Sequence, residues 1–220
     1  MSEAAGNRIA DEVYGELRRE ILSGVLTAGS RLSVPAISER IKVGRSPVRE
    51  AVLRLVQERL ASEEPRRGAV VAQVGPRELA ALYEVRLVLE GLAAQLAVEN
   101  AGQSLVRALR GVLEEHARAV EINDLARHEE LDIEFHSLVR HAAKNPELIR
   151  FLDDIQTQVR LAMQTTRVRG GPLQALEDHR VILEAIASGD PEAAEKAARA
   201  HVARLREMLL AVAVGKVVVE

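Results

Sequence analysis

The sequence predicts a mostly α-helical protein made of two parts, the first of which also carries a short β-hairpin. Apolar residues recur every three or four positions along most of the chain, and turns containing Gly or Pro interrupt that pattern. Aromatic residues are scarce, with two Tyr, two Phe and no Trp in 220 residues. The core must therefore be built from Leu, Val, Ile and Ala, among which Ala and Leu are strong helix formers.

Composition narrows the class of protein. The chain has no cysteine, which excludes disulfides, thiolate metal sites and a cysteine nucleophile. No apolar run approaches the roughly 20 residues that cross a bilayer, and the N-terminus lacks the apolar segment of a signal peptide. We therefore expect a cytoplasmic protein with no membrane partner.

The first part of the chain predicts three helices and a hairpin. An apolar stripe at i, i+4 and i+8 marks a helix that stops before Gly24, Ser33 is placed to cap a second helix, and Ser46-Pro47 reads as the cap and first turn of a third. A Pro-Arg-Arg-Gly turn then separates two short segments, the second of which favours β structure. This is the layout of a winged helix-turn-helix, which we assign to residues 8–74.

From Pro76 onward only helical periodicity is present. Its interruptions predict six helices, at 76–100, 103–121, 124–142, 145–168, 172–188 and 190–214. Six antiparallel helices make a bundle, which we assign to a second domain at residues 76–214. The linker at Gly75 is so short that we expect the two domains to be closely coupled.

Basic side chains concentrate in the predicted winged helix-turn-helix. Residues 1–72 carry 12 basic and 10 acidic side chains, whereas 73–220 carry 18 and 23. Within 40–68 the count is 8 basic against 4 acidic. A nucleic-acid contact surface permits this asymmetry but does not require it.

Two arginines lie where the third helix of such a fold enters the major groove. Arg45 and Arg49 are four residues apart and so project from one helix face. An arginine can donate two hydrogen bonds to guanine, and the Ser46 hydroxyl suits a phosphate. The same arginines would also fit a solvated helix face without a partner. The tip of the wing is formed by Arg66, Arg67 and Gly68.

The second domain carries polar residues where the pattern requires apolar ones. Arg86 points at the core, where a guanidinium needs an anionic partner, either an internal Glu or Asp or the carboxylate or phosphate of a ligand. His179 and His201 also lie in apolar stripes, and Asp132 and His136 project from one helix face. Three histidines and one carboxylate suit a divalent metal, although a lone histidine in a core is more often simply hydrogen-bonded.

The first domain resembles the GntR family of bacterial regulators through three blocks in the same order: VYGELRREILSGVLTAGSRLS, VGRSPVREAVLRLVQERLA and RRGAVVAQV. The resemblance covers about residues 10–74. It implies that Arg45 and Arg49 are the main base and phosphate readers, that Ser46 contacts a phosphate, and that Gly68 contacts DNA from the wing.

Three positions depart from the family pattern. Gly44 stands where the family usually places Ser or Thr, and Lys42 and Arg59 replace usual glycines. These departures bear on operator sequence and affinity more than on the DNA-binding role itself.

The second domain is similar to the FCD ligand-sensing domain of the FadR-type GntR subgroup, and its six helices look like the VanR-type arrangement. The similarity lies in LYEVRLVLEGLAAQLA, LDIEFHSLVRHAAKNPEL and EDHRVILEAIASGDPEAAEKAARAHV. It implies that Arg86 faces the effector pocket and that an ion of Zn, Ni, Fe or Mn is held by Asp132, His136, His179 and His201. An arginine beside such an ion favours a small organic acid as effector.

We therefore expect a homodimeric repressor that binds a palindromic DNA operator and responds to a small organic acid. One alternative is a metal-dependent hydrolase built on the histidine–aspartate centre, with Glu129 or Glu134 as base, although no H-E-x-x-H pattern occurs. Another is a helical interaction module with a structural metal, in which losing Arg45 and Arg49 would be harmless.

Overall fold

The computed structural model describes the backbone of residues 2–166 and 171–213 and the side chains of 7–162 and 171–211. Contacts divide the chain into two compact units. The first unit contains residues 2–75 together with 156–166. The second unit contains residues 76–155 together with 171–213. Within the described residues, none of the helices combines the length and the apolar composition of a membrane span.

The first unit contains the predicted helices and hairpin. Its elements are α1 (Ser2–Leu22), α2 (Val34–Ile41), α3 (Arg45–Gln57), β1 (Ala61–Glu64) and β2 (Gly68–Val71). The two strands pair antiparallel, with Ala61 opposite Val71 and Glu64 opposite Gly68. The apolar stripe of α1 and the inner face of α3 are buried, which confirms the winged helix-turn-helix: Val13, Leu17, Ile21, Val48, Val52 and Leu55.

The start of α3 differs from the prediction. The helix begins at Arg45, and its N-cap is Gly44 in an extended conformation, so the prediction that Ser46 caps this helix is wrong. Pro47 fits in the first turn because an N–H at this position has no partner within the helix. Ser33 does occupy the N-cap of α2, but its side chain makes no capping hydrogen bond.

The turns that follow α2 and α3 each hold a left-handed residue that carries a Cβ atom. Lys42, which ends α2, has φ 60°, and Arg59, which follows α3, has φ 58°. These are two positions at which glycine is usual in the family that the sequence resembles, and glycine adopts this conformation without a steric penalty.

The second unit is built on six helices, as predicted. They are α4 (Pro76–Asn100), α5 (Gln103–Glu121), α6 (Leu125–Ala142), α7 (Pro146–Thr166), α8 (Pro172–Ser188) and α9 (Pro191–Ala213). Residues 167, 168 and 214, which the sequence adds to two of these helices, lie outside the described residues. Helices α4 and α9 pack closely at Gly91, where a Cβ atom would lie 2.6 Å from Cγ of Arg199.

Helix α7 belongs to the second unit at its start and to the first unit from Gln156 onward. Within the first unit, Gln158 Nε2 donates to the carbonyl oxygen of Glu58 at 2.8 Å, just after α3. Arg18 Nη2 donates to Thr157 Oγ1 at 3.1 Å. The sequence does not predict this grouping, because the periodicity of α7 continues unbroken through Gln156.

Candidate metal centre and candidate DNA interface

Three histidines from three helices meet in the core of the second unit. His136 lies on α6, His179 on α8 and His201 on α9, and one ring nitrogen of each lies within 4.8 Å of the others. All three side chains are buried. Two nitrogens bound to one tetrahedral Zn²⁺ lie about 3.4 Å apart, so the rings would have to move closer together to hold one ion.

The carboxylates beside these histidines determine which ring nitrogens are free. Nδ1 of His201 lies 2.9 Å from Asp178 Oδ2, and Nδ1 of His136 lies 3.4 Å from Glu90 Oε2. The buried Nε2 atoms of His136, His179 and His201 have no hydrogen-bond partner within the described part of the chain. A core histidine is normally hydrogen-bonded, so these unmatched nitrogens suit metal coordination better than simple packing.

Asp132, the fourth predicted ligand, lies at the edge of this cluster. Its Oδ1 atom is 3.6 Å from His179 Nε2, and its side chain is 30% exposed. The carboxylate of Asp132 lies outside the 4.8 Å mutual spacing of the three imidazoles, so Asp132 would have to move closer to share an ion with them. Its partial exposure places the open side of the cluster at Asp132.

Burial favours the neutral form of His179 and His201, the form that binds a metal. Burial is the largest cause of the lowered pKa of His179, and the neighbouring His136 and His201 lower it further. Burial also lowers the pKa of His201, although Asp178 opposes this effect. His179 is further held by Phe135, whose ring stacks on it with centroids 4.2 Å apart.

Arg86 points into the core as predicted, but it already has an internal anionic partner. Its Nε donates to Glu90 Oε1 at 3.2 Å, and its Nη1 donates to the Tyr83 hydroxyl at 3.3 Å. Burial alone would raise the pKa of Glu90, yet His136 and Arg86 lower it well below its usual value. The carboxylate of Glu90 is therefore ionised and shared between Arg86 and His136.

The arginines of α3 lie on its solvent-facing side. Arg45, Ser46 and Arg49 are all exposed in the first two turns, whereas Val48 faces the core. Within the described residues, Arg45 and Arg49 form no ion pair. Their guanidinium groups are thus available to an external partner.

The three predicted wing residues differ in their surroundings. Arg66 and Gly68 are exposed at the hairpin turn, and both have a positive φ. Arg67 instead binds the wing itself, because its Nη1 contacts Glu64 at 2.5 Å and its Nη2 donates to the carbonyl oxygen of Gly29 at 3.1 Å. Arg67 therefore links the wing to the turn at Gly29.

Sequence reasoning missed three charged residues of the candidate metal centre. Glu90 lies four residues after Arg86, Arg140 lies four residues after His136, and Asp178 directly precedes His179. The first two could have been found from the rule that residues four apart share a helix face. Asp178 has no such signal, since it reaches His201 on another helix.

Two family descriptions match the chain. The description "Bacterial regulatory proteins, gntR family" matches residues 9–71, and "FCD domain" matches residues 81–204. A Paenarthrobacter nicotinovorans protein described as a probable D-xylose utilization operon transcriptional repressor is 31% identical over 198 residues, which are 89% of this chain and 86% of that protein. The Bacillus subtilis regulator YdhC is 26% identical over 197 residues, 86% of each chain.

Solved structures of named regulators are also similar to this chain. Escherichia coli McbR is similar with a TM-score of 0.70 and 25% identity, covering 94% of this chain and 98% of that one. A GntR regulator from Rhodococcus sp. RHA1 is similar with a TM-score of 0.74 and 25% identity, covering 91% and 97%. These proteins are named as transcriptional regulators and not as enzymes, which removes the hydrolase alternative.

Proposed function

Because the chain belongs to the GntR family of bacterial transcriptional regulators and carries its FCD domain, we propose that it is a metal-assisted sensor of a small organic acid that represses transcription from an operator. DNA binding is the family's activity, and the exposed arginines at the start of α3 fit it. Two relatives are described as operon repressors, one of them for gluconate in Bacillus subtilis. Such a regulator works in the cytoplasm, where the operator is.

The observation that carries the sensor proposal is the set of buried imidazole nitrogens that have no hydrogen-bond partner among the described residues. His136, His179 and His201 would hold the ion, and Asp132 would complete the ligand set from the open side. Neutral imidazoles with one carboxylate suit Zn, Ni, Fe or Mn. A bound divalent ion would supply a Lewis-acidic centre for an oxygen atom of the effector.

The effector would act through its relative affinities for two states of the protein. A ligand weakens DNA binding only by the ratio of its affinities for the DNA-binding state and the other state. The proposal therefore requires that operator affinity change when metal and effector are added together.

We also propose that the regulator is a homodimer, which a palindromic operator requires. Val85, Val88 and Leu92 form an exposed apolar stripe on α4, with exposed fractions of 53%, 50% and 37%. A second copy could bury this stripe on a two-fold axis. A Val85→Glu/Val88→Glu variant should then be monomeric by light scattering, whereas Val181→Glu, on an exposed face of α8, should remain dimeric.

The first experiment is elemental analysis of the purified protein by plasma mass spectrometry. We expect about one divalent ion per chain, and a His136→Ala/His179→Ala/His201→Ala variant should lose it. His141→Ala is the matched control, because His141 lies on α6 but is exposed and bonded to Ser137. A protein that takes up no ion after incubation with Zn, Ni, Fe and Mn would refute the metal-assisted sensor and leave the DNA-binding role intact.

A further inference from the structure

Arg140 is a buried arginine whose hydrogen-bonding groups are largely unmatched. It lies on α6, one helical turn after His136, and only 3% of its surface is exposed. Its Nε and Nη1 atoms are buried and have no hydrogen-bond partner in the described structure. Asp153 Oδ1 lies 3.4 Å from Nε, close enough for an ion pair but not aligned for a hydrogen bond. The Asp153 side chain is also 52% exposed, so water screens that attraction.

Arg86 provides the contrast, because it is equally buried and well partnered. Glu90 and Tyr83 accept its hydrogen bonds, and the second oxygen of Glu90 faces His136. Among the described residues, the buried core around them thus holds two guanidinium groups, of Arg86 and Arg140, and one fully buried carboxylate, that of Glu90. A buried guanidinium whose only close carboxylate among the described residues is the half-exposed Asp153 is poorly compensated, so this core can accommodate one more negative charge, at Arg140.

We propose that Arg140, and not Arg86, binds the carboxylate of the effector, an inference that rests on the proposed organic-acid sensor. Arg140 and His136 share one face of α6, because they are four residues apart. A carboxylate held by Arg140 therefore lies beside the histidine cluster. An acid with a second oxygen donor, such as a dicarboxylate or a hydroxy acid, would reach both groups.

A structural role for Arg140 makes different predictions. If Arg140 and Asp153 were simply an ion pair that stabilises α6 against α7, losing either residue would lower stability. If Arg140 is instead a binding group kept without its anion, replacing it with an apolar side chain of similar length removes an unfavourable buried charge. Stability without ligand would then rise, while binding of the anion would be lost.

The test compares melting temperatures of Arg140→Met, Arg86→Met and Asp153→Asn with the wild-type protein, in buffer free of carboxylates and in increasing malonate. Arg140→Met should melt at a higher temperature than wild type without malonate. Malonate should raise the melting temperature of wild type and Asp153→Asn, and Arg140→Met should bind it about 30-fold more weakly or worse. Arg86→Met should melt at a lower temperature, because it leaves Glu90 without its arginine.

Acetate and metal loading separate this inference from the sensor proposal. Acetate offers one carboxylate, so it should match malonate in metal-free protein and bind more weakly than malonate in metal-loaded protein. An Arg140→Lys variant keeps the charge without the guanidinium fork and should fold and bind malonate weakly, which covers the case in which Arg140→Met does not fold.

Two results would overturn the assignment. One is a wild-type protein that malonate does not stabilise in either form, and the other is an equal malonate response in wild type, Arg140→Met and Arg140→Lys. Malonate binding that depends on Arg140 in a protein that takes up no metal would support Arg140 and refute only the metal centre. Metal uptake with a malonate response independent of Arg140 would support the metal centre and refute the assignment of the carboxylate to Arg140.

Discussion

The two units of the molecule place their charged side chains in opposite ways. In the first unit, no charged side chain or histidine of 7–75 is buried. In the second unit, seven such residues are buried among the described side chains: Arg86, Glu90, His116, His136, Arg140, His179 and His201. A unit that contacts its partner at the surface can lose a functional residue without losing its fold. A unit that binds its ligand inside ties function to stability, because each buried polar group must be satisfied or costs free energy.

The largest expected effect is on DNA binding and comes from the surface of the first unit. Arg45→Ala/Arg49→Ala removes two exposed guanidinium groups from α3, and each bidentate contact with guanine contributes about 1–3 kcal/mol. We expect operator affinity to fall by roughly 30-fold to 20,000-fold, with an unchanged melting temperature. The measurement is fluorescence anisotropy with a duplex that the protein selects from the DNA flanking its gene.

The control for this variant removes the same charge from the second unit. Arg107→Ala/Arg110→Ala takes two exposed arginines from α5 and should leave operator affinity nearly unchanged. If both double variants weaken binding equally, the effect is one of net charge, and α3 does not read the DNA. If neither double variant weakens binding, the chain is better described as an interaction module whose winged helix-turn-helix does not read DNA.

The next effect concerns the carboxylates beside the proposed metal centre. Glu90→Gln and Asp178→Asn should each lower metal affinity by about 10-fold to 100-fold, because the carboxylates orient the rings of His136 and His201 and keep the proton on Nδ1. Competition with a chromogenic chelator measures the affinity. The imidazole ¹⁵N chemical shifts of metal-free protein should also show Nδ1–H on both rings in the wild type.

Glu177→Gln serves as the control for these carboxylates. Glu177 neighbours Asp178 but pairs with Arg180 on the surface, so its loss should not change metal affinity. If all three variants bind metal as tightly as wild type, the internal carboxylates only fill space, and the contrast between the two units is weaker than we infer.

Regular helical periodicity predicted the helices of the fold to within a few residues. The same spacing rule placed His136, His179 and His201 in the core, since each falls within an apolar stripe. The sequence could not show that Glu90 neutralises Arg86, because the choice between an internal partner and a ligand depends on which rotamers meet in the core. Nor could it show that Arg67 braces the wing, since the partner oxygen of Gly29 lies in a distant turn.

A smaller effect concerns the turns that end helices in each unit. Helix α8 ends at Gly189 with φ 75°, whereas α2 ends at Lys42 with φ 60°. A left-handed residue with a Cβ atom costs about 1–2 kcal/mol, and glycine loses about 0.5–1 kcal/mol more than alanine in chain entropy on folding. Lys42→Gly and Arg59→Gly should therefore each raise the free energy of unfolding by about 0.5–1 kcal/mol.

The reverse substitution in the second unit tests the same cause. Gly189→Ala should lower the free energy of unfolding by a similar amount, since no atom of the described residues lies within 4 Å of the added Cβ and the backbone conformation is what resists it. Urea unfolding followed by circular dichroism measures all three variants. A destabilising Lys42→Gly would mean that the lysine side chain makes a contact that outweighs the backbone cost.

The smallest expected effect is on the pH dependence of stability, and it concerns the two tyrosines, one in each unit. Partial burial and the Glu58 carboxylate, 2.6 Å from the hydroxyl, raise the pKa of Tyr14 to about 12, and burial raises the pKa of Tyr83. Tyr83→Phe leaves Tyr14 as the sole tyrosine, so its ultraviolet absorbance should titrate near pH 12 when folded and near pH 10 in denaturant. Because the folded form keeps a proton that the unfolded form releases, this contribution to stability is complete below about pH 10 and is lost as the pH rises toward 12. Tyr14→Phe should therefore lose less stability than wild type between these pH values. If the tyrosine absorbance of folded Tyr83→Phe instead titrates with a midpoint near pH 10, Glu58 does not hold the Tyr14 proton.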